Sequence, residues 1–120
     1  IDSMTKKHYD AALSEFQAYL SQYPNGSFVI NAHYWLGELY AVKQQNDNAL
    51  KEFNYVVKHY PKSRKVADAQ YKIAILHLKM GATKQAQEEL DQIRKNHPNT
   101  TAAQLASIKL QQIQLSSGAS

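Results

Sequence analysis

The stretch Tyr34-Trp35-Leu36-Gly37-Glu38-Leu39-Tyr40, continued through Ala49 and Phe53 to Pro61, decides the fold. It is the complete copy of a pattern that returns on both sides at a spacing of 37 residues. Ala12, Ala49 and Ala86 fall in register, as do Phe16, Phe53 and Leu90. The prolines Pro24, Pro61 and Pro98 align, and so do Gly26, Ser63 and Thr100, and Ala32, Ala69 and Ala106. A period of this size marks an array in which each unit is one supersecondary element that cannot bury its apolar face alone.

Outward from that stretch, the apolar spacing is helical throughout. Tyr9, Ala12, Leu13, Phe16, Tyr19 and Leu20 lie three and four apart, which predicts an amphipathic helix over 8–22, stopped by Pro24-Asn25-Gly26. Gly26 or Ser27 is expected to cap a helix over about 28–44, apolar on more than one side. Asn46 or Asp47 should cap its partner over about 48–60, which turns Ala49, Leu50, Phe53, Val56 and Val57 inward. The pattern then repeats as helices over 64–80 and 84–96, with turns at Gly81-Ala82-Thr83 and Pro98-Asn99-Thr100. A last helix over 101–115 takes the first-helix place of a unit that is not completed, and residues 116–120 are expected to fray. In the same register residues 1–7 read as the end of a preceding helix, and the chain as a fragment of a longer protein.

These features predict an all-α solenoid of helical hairpins forming one domain over 1–120: a partial first repeat (1–26), repeats over 27–63 and 64–100, and a C-terminal capping helix over 101–115. Gly37 and Ala74 fall where two helices cross most closely, with Ala49 and Ala86 opposite. Phe53 and Leu90 fill the space between repeats. Each proline ends a second helix and turns the chain toward the next unit.

Composition narrows the functional classes. With no cysteine there are no disulfides, thiolate zinc ligands or thiol chemistry. The histidines His8, His33, His59, His77 and His97 show no metal-binding spacing, and no glycine-rich phosphate loop occurs. Glu52 and Glu88-Glu89 fall on helix faces read as exposed, and no convergent pocket is marked, so neither enzyme activity nor a metal or cofactor is expected. The formal charge of +4 is too small for a nucleic-acid footprint, and no apolar run suits membrane insertion. The basic stretch Lys58-His59-Tyr60-Pro61-Lys62-Ser63-Arg64-Lys65 could draw an acidic partner, although a solvated loop explains it more simply. His59 and His97 stand where a cation complements the end of a helix.

With Gly37 counted as the eighth position of a unit, Leu36, Gly37, Tyr40, Ala49, Phe53 and Pro61 resemble the tetratricopeptide repeat. The chain departs from that repeat in carrying His33 at the fourth position, with Trp35 two residues on, and in a period of 37 rather than 34, the extra residues fitting after each proline. A narrower resemblance rests on Phe16, Leu20 and Tyr23-Pro24, on Ala32-His33-Tyr34-Trp35-Leu36-Gly37-Glu38, on Tyr60-Pro61-Lys62-Ser63, Asp68-Ala69, and on Thr101-Ala102-Ala103 with Leu105-Ala106. These are similar to the C-terminal domain of the periplasmic Tol-Pal system family YbgF, also called CpoB. That resemblance implies a non-enzymatic, periplasmic protein-binding module that meets TolA, and through it a peptidoglycan synthase, during cell division. It also implies a parent chain with a signal peptide and a coiled coil that forms a trimer. A tetratricopeptide scaffold or oligomerisation module of another envelope assembly complex is the alternative.

In such a solenoid the first helix of each unit lines a concave groove. The expected partner-binding residues of the second unit are Asn31, Tyr34, Glu38, Ala41 and Val42. Those of the third are Asp68, Tyr71, Ile75, Leu78 and Lys79, with Leu105, Ile108 and Gln112 on the last helix. Tyr34 and Tyr71 are expected side by side in the groove, and Trp35 is expected to pack on a neighbouring helix. The set is aromatic and aliphatic with few charges, which suits a peptide or helix. Simple packing of the inner helix face is the rival reading for residues such as Ile75 and Ile108.

Overall fold

The 37-residue register is written into the backbone at two turns. Of the non-glycine residues only Gln44 has positive φ among the described residues, at 62°, and Gly81 stands in the equivalent place with φ 87°. Each residue follows the end of a first helix and closes it in the same way. Gln45 N–H donates to the Tyr40 carbonyl at 2.9 Å and Gln44 N–H to that of Ala41 at 3.0 Å. Ala82 N–H and Gly81 N–H repeat these bonds to His77 and Leu78 at 2.8 and 3.1 Å. This double closure satisfies carbonyls that a helix end leaves unpaired, and it needs a left-handed residue at its centre.

The computed structural model describes residues 3–118. Within them run α1 (Ser3–Gln22), α2 (Val29–Val42), α3 (Asn46–His59), α4 (Lys65–Lys79), α5 (Thr83–Asn96) and α6 (Thr101–Gly118), with no strand among the described residues. Residues 1–61 and 62–120 form two compact units. In the first, α1 packs on α2 and α2 on α3; in the second, α4, α5 and α6 pack on one another pairwise.

At the start of the chain the expected arrangement is corrected. Residues 3–7 are not the tail of an earlier helix; α1 runs unbroken from Ser3 to Gln22. Lys7 holds the place of Gln44 and Gly81, but it stays helical. Residues 1 and 2 lie outside the described residues. At the other end α6 extends through Gly118, beyond the expected limit of 115, while 119–120 lie outside the described residues.

The three aligned positions Gly26, Ser63 and Thr100 begin three helices by three routes. The Ser63 hydroxyl accepts from Lys65 N–H at 3.1 Å. The Thr100 hydroxyl accepts from Ala103 N–H at 3.1 Å and donates to the His97 carbonyl at 2.7 Å. Gly26 has no side chain, and the expected cap from Gly26 or Ser27 is replaced: the Tyr19 hydroxyl reaches across from α1 and accepts from Phe28 N–H at 3.1 Å. The Tyr19 ring also stands edge-on to Phe28, at 5.6 Å. A Cβ at Gly26 would come within 2.6 Å of that hydroxyl, so the glycine and the tyrosine cap go together. The second helices start without side-chain caps, and neither Asn46 nor Asp47 is the cap residue of α3; Gln45 is.

Close packing follows the small residues. A Cβ on Gly37 would lie 2.7 Å from the Phe53 ring, so α2 reaches α3 at that point because the glycine lacks one. Ala74 and Leu90 occupy the same register in the second unit and belong to one buried cluster with Ile93, Ala102, Ala103 and Ala106. The larger helix residue is thus matched by a smaller partner. In the first unit Tyr34, Leu36, Ala49, Phe53 and Val56 are buried, and Lys43 at the end of α2 pairs with Asp10 of α1.

Candidate functional site

The candidate site residues lie on the outward faces of the first helices, some in each unit. In the first unit Asn31, Glu38 and Ala41 are half-buried and Val42 is exposed. Tyr34 is only 7% exposed, its ring edge-on to Phe53 at 5.5 Å. The ring's surface is committed to the core of the hairpin, one turn below the glycine crossing. Trp35, expected to be packed, is instead 44% exposed, resting edge-on against Tyr34 at 5.8 Å. Neighbours on a helix lie about 100° apart, so α2 turns Tyr34 toward Phe53 and leaves Trp35 on the flank, in the register place of Lys72 and Lys109.

In the second unit Asp68, Tyr71, Ile75 and Leu78 of α4 are half-buried and Lys79 is exposed. Tyr71 packs against the buried cluster formed with α5 and α6, and burial raises its phenol pKa above the ordinary tyrosine value. On α6, Leu105 is 41% and Ile108 52% exposed, and Gln112 is exposed too. Leu115, one turn beyond Gln112, is 69% exposed. The apolar side chains in this unit therefore remain accessible chiefly on α6.

Two polar clasps were not foreseen. His33 Nδ1 of α2 lies 3.1 Å from Glu52 of α3, and His77 Nδ1 of α4 lies 2.7 Å from Glu89 of α5. The expectation that Glu52 and Glu89 are plain solvent-facing carboxylates is corrected, since both are partly buried partners of an imidazole. The two glutamates are 37 residues apart, which is a legible signal. Their histidines are not in register, so the pairing itself is invisible in the repeat. His33 also stacks on Tyr55 at 3.9 Å, and the Tyr55 ring lies tilted against His59 at 4.1 Å.

These groups hold helices together rather than converge on a reacting centre. Among the described residues no three His, Asp or Glu side chains are grouped to hold a metal ion. A shallow cavity of about 620 Å³ in the second unit is lined by Ser63, Arg64, Ala67, Asp68, His97, Asn99, Thr100 and Thr101. Its Ser63 and Thr100 hydroxyls already cap α4 and α6. In the basic stretch, Lys58, His59, Lys62 and Arg64 are exposed, while Tyr60, Ser63 and Lys65 are half-buried. No described helix is long and apolar enough to cross a membrane.

The comparison with known proteins agrees with this geometry. Over 42 residues, 35% of the chain, the sequence is 43% identical to the cell division coordinator CpoB of Pseudomonas putida strain KT2440. A second Pseudomonas putida protein of the same name matches equally. The matched stretch spans 16% of the length of those relatives. Residues 43–109, more than half of the chain, match the tetratricopeptide repeat profile. With its paired helices, left-handed turns and glycine crossing in that register, the chain belongs to the tetratricopeptide repeat family.

Proposed function

We propose that the chain is a docking module in which the outward face of a first helix takes a segment of a protein partner. The observation that carries this reading is the accessible apolar surface on such faces, with Val42, Leu105, Ile108 and Leu115 all exposed. Exposed apolar surface grouped on one face of a helix marks recognition more often than scattered single residues do. By similarity to the cell division coordinator CpoB, the partner is a component of the division machinery of the cell envelope. TolA in the periplasm, with a peptidoglycan synthase beyond it, is the partner that fits this reading. The module acts without chemistry of its own.

Val42 and Lys79 hold the same register on α2 and α4, and both are exposed. Purified chain should bind a TolA domain in calorimetry. Val42→Ser combined with Lys79→Glu should weaken binding about tenfold or more, roughly the loss of one well-placed contact, with an unchanged melting temperature. Equal affinity in the folded double variant rejects the assignment of the face. No binding to any TolA domain rejects that partner.

A further inference from the structure

The last helix has two apolar faces and only one of them is covered. At about 3.6 residues per turn, the residues of α6 sort into three sectors. Ala102, Ala103, Ala106, Leu110 and Ile113 form the first, packed into the core of the second unit. Ser107, Gln111 and Gln114 form the second, all exposed. In the repeat register these three stand where α2 and α4 carry His33, Gly37, Tyr40 and Gln70, Ala74, His77, of which His33 and His77 meet glutamates of their second helices and Gly37 lies against Phe53 of its own. Leu105, Ile108 and Leu115, with Gln112 among them, form the third sector. Its three apolar side chains are 41%, 52% and 69% exposed. A helix that is apolar on more than one side is normally covered on more than one side.

The charges around this sector say what covers it. Residues 62–120 hold nine lysines and arginines against four acidic residues, a net +5, while residues 1–61 carry −1. Three of those four acidic residues, Glu88, Glu89 and Asp91, sit on α5. The two first-type helices of this unit, α4 and α6, carry four lysines and a single aspartate, Asp68. Lys72 and Lys109 hold equivalent places in the register, on the flank of the apolar sector of each helix. A second copy of the chain presented face to face would set lysines against lysines, which disfavours self-association.

We infer that the exposed sector of α6, with the adjoining face of α4, is the seat of an amphipathic helix from a partner protein, apolar on one side and flanked by acidic residues. This rests on the docking reading above and names the chemistry of the occupant. The apolar stripe takes the buried side of the incoming helix. Lys79 and Lys109 meet its carboxylates at the rim, where they steer association and set the orientation more than they add affinity.

The test uses the full chain and two 18-residue probe peptides, both helical with a leucine face, one flanked by glutamate and one by lysine. Fluorescence anisotropy at low salt should show the glutamate peptide binding at least tenfold tighter than the lysine peptide, with the preference shrinking as salt is raised. Leu105→Ser with Ile108→Ser should abolish the interaction while the chain still shows a cooperative circular-dichroism melt, lowered only slightly, since each side chain is already about half exposed. Lys109→Glu should reduce the preference between the two peptides. Equal binding of the two peptides, or full binding by the serine variant, overturns the inference. So does sedimentation showing a dimer that the serine variant abolishes, because the occupant is then a second copy. If TolA binding falls with Val42→Ser/Lys79→Glu but is untouched by the α6 variants, the inference fails and the docking reading stands.

Discussion

Gly37 and Phe53 show how a single atom sets a helix crossing. The site has room for the full aromatic ring only because the residue above it has no Cβ. Gly37→Ala should therefore destabilise the chain by about 1–3 kcal/mol, the usual cost of overpacking. The second unit already holds the compensated pair, Ala74 with Leu90. Combining Gly37→Ala with Phe53→Leu should recover part of the loss, with a favourable coupling of about 1 kcal/mol or more in a double-mutant cycle by urea denaturation. Strict additivity would show that the ring does not limit the crossing. The left-handed turns permit a second experiment. Gln44 holds a conformation that strains a residue with a side chain, and Gly81 shows the relaxed solution. Gln44→Gly should stabilise by about 0.5–1 kcal/mol and Gly81→Ala should cost about 1 kcal/mol. A melting temperature that moves the other way in either variant would contradict the role of the turn.

Each helix carries its part of the array through one packed face and differs in what the other face does. The second helices α3 and α5 bury one stripe: Ala49, Phe53 and Val56 in α3, and Ala86, Leu90 and Ile93 in α5. The remaining polar side is stapled back to the first helix by Glu52 or Glu89. On α4 the half-buried Tyr71 packs against the core cluster, and burial raises its phenol pKa. A folded-state pKa raised above the unfolded one near 10 adds stability that is complete below the unfolded pKa and disappears as pH rises through the folded one. The melting temperature of the native chain should thus fall more steeply above about pH 10 than that of Tyr71→Phe. Parallel curves for the two proteins would show that Tyr71 does not contribute. α6 stands apart because its three sectors are core, solvent and stripe, and the stripe has no cover.

On the scale of the whole molecule, repetition supplies most of the architecture and departures from it supply the individuality. The +4 net charge looks unremarkable when summed over the chain, yet it is the sum of a nearly neutral first unit and a strongly basic second one. That division makes an acidic partner segment a specific expectation for the second unit. The aromatic groups are divided the other way. Tyr19, Tyr23, Phe28, Tyr34 and Trp35 are all in the first unit, three of them exposed, while on the first-helix faces of the second unit only Tyr71 is aromatic. An array built from one motif thus presents two chemically different surfaces.

The repeat determined much of this by itself: the all-α class, the order and limits of α2 to α6 within a few residues, the turns and the glycine crossing. These follow from apolar period, prolines and small residues, all of which are local or recur at a fixed interval and so can be seen in one dimension. The start of α1 departs from the periodic reading, because a register says where a turn belongs but not whether Lys7 will take it. Tertiary structure decided the rest. Tyr34 and Trp35 are neighbours on the same helix about 100° apart, and the packed hairpin shows that the ring of Tyr34 goes inward against Phe53 while that of Trp35 stays outside. The Tyr19 cap and the two histidine–glutamate clasps join residues whose spacing does not repeat. The stripe on α6 emerges once the core has taken one apolar face of that helix and left the other. A periodic sequence states which positions are equivalent, but contacts across helices depend on side-chain size and reach, and those break the equivalence.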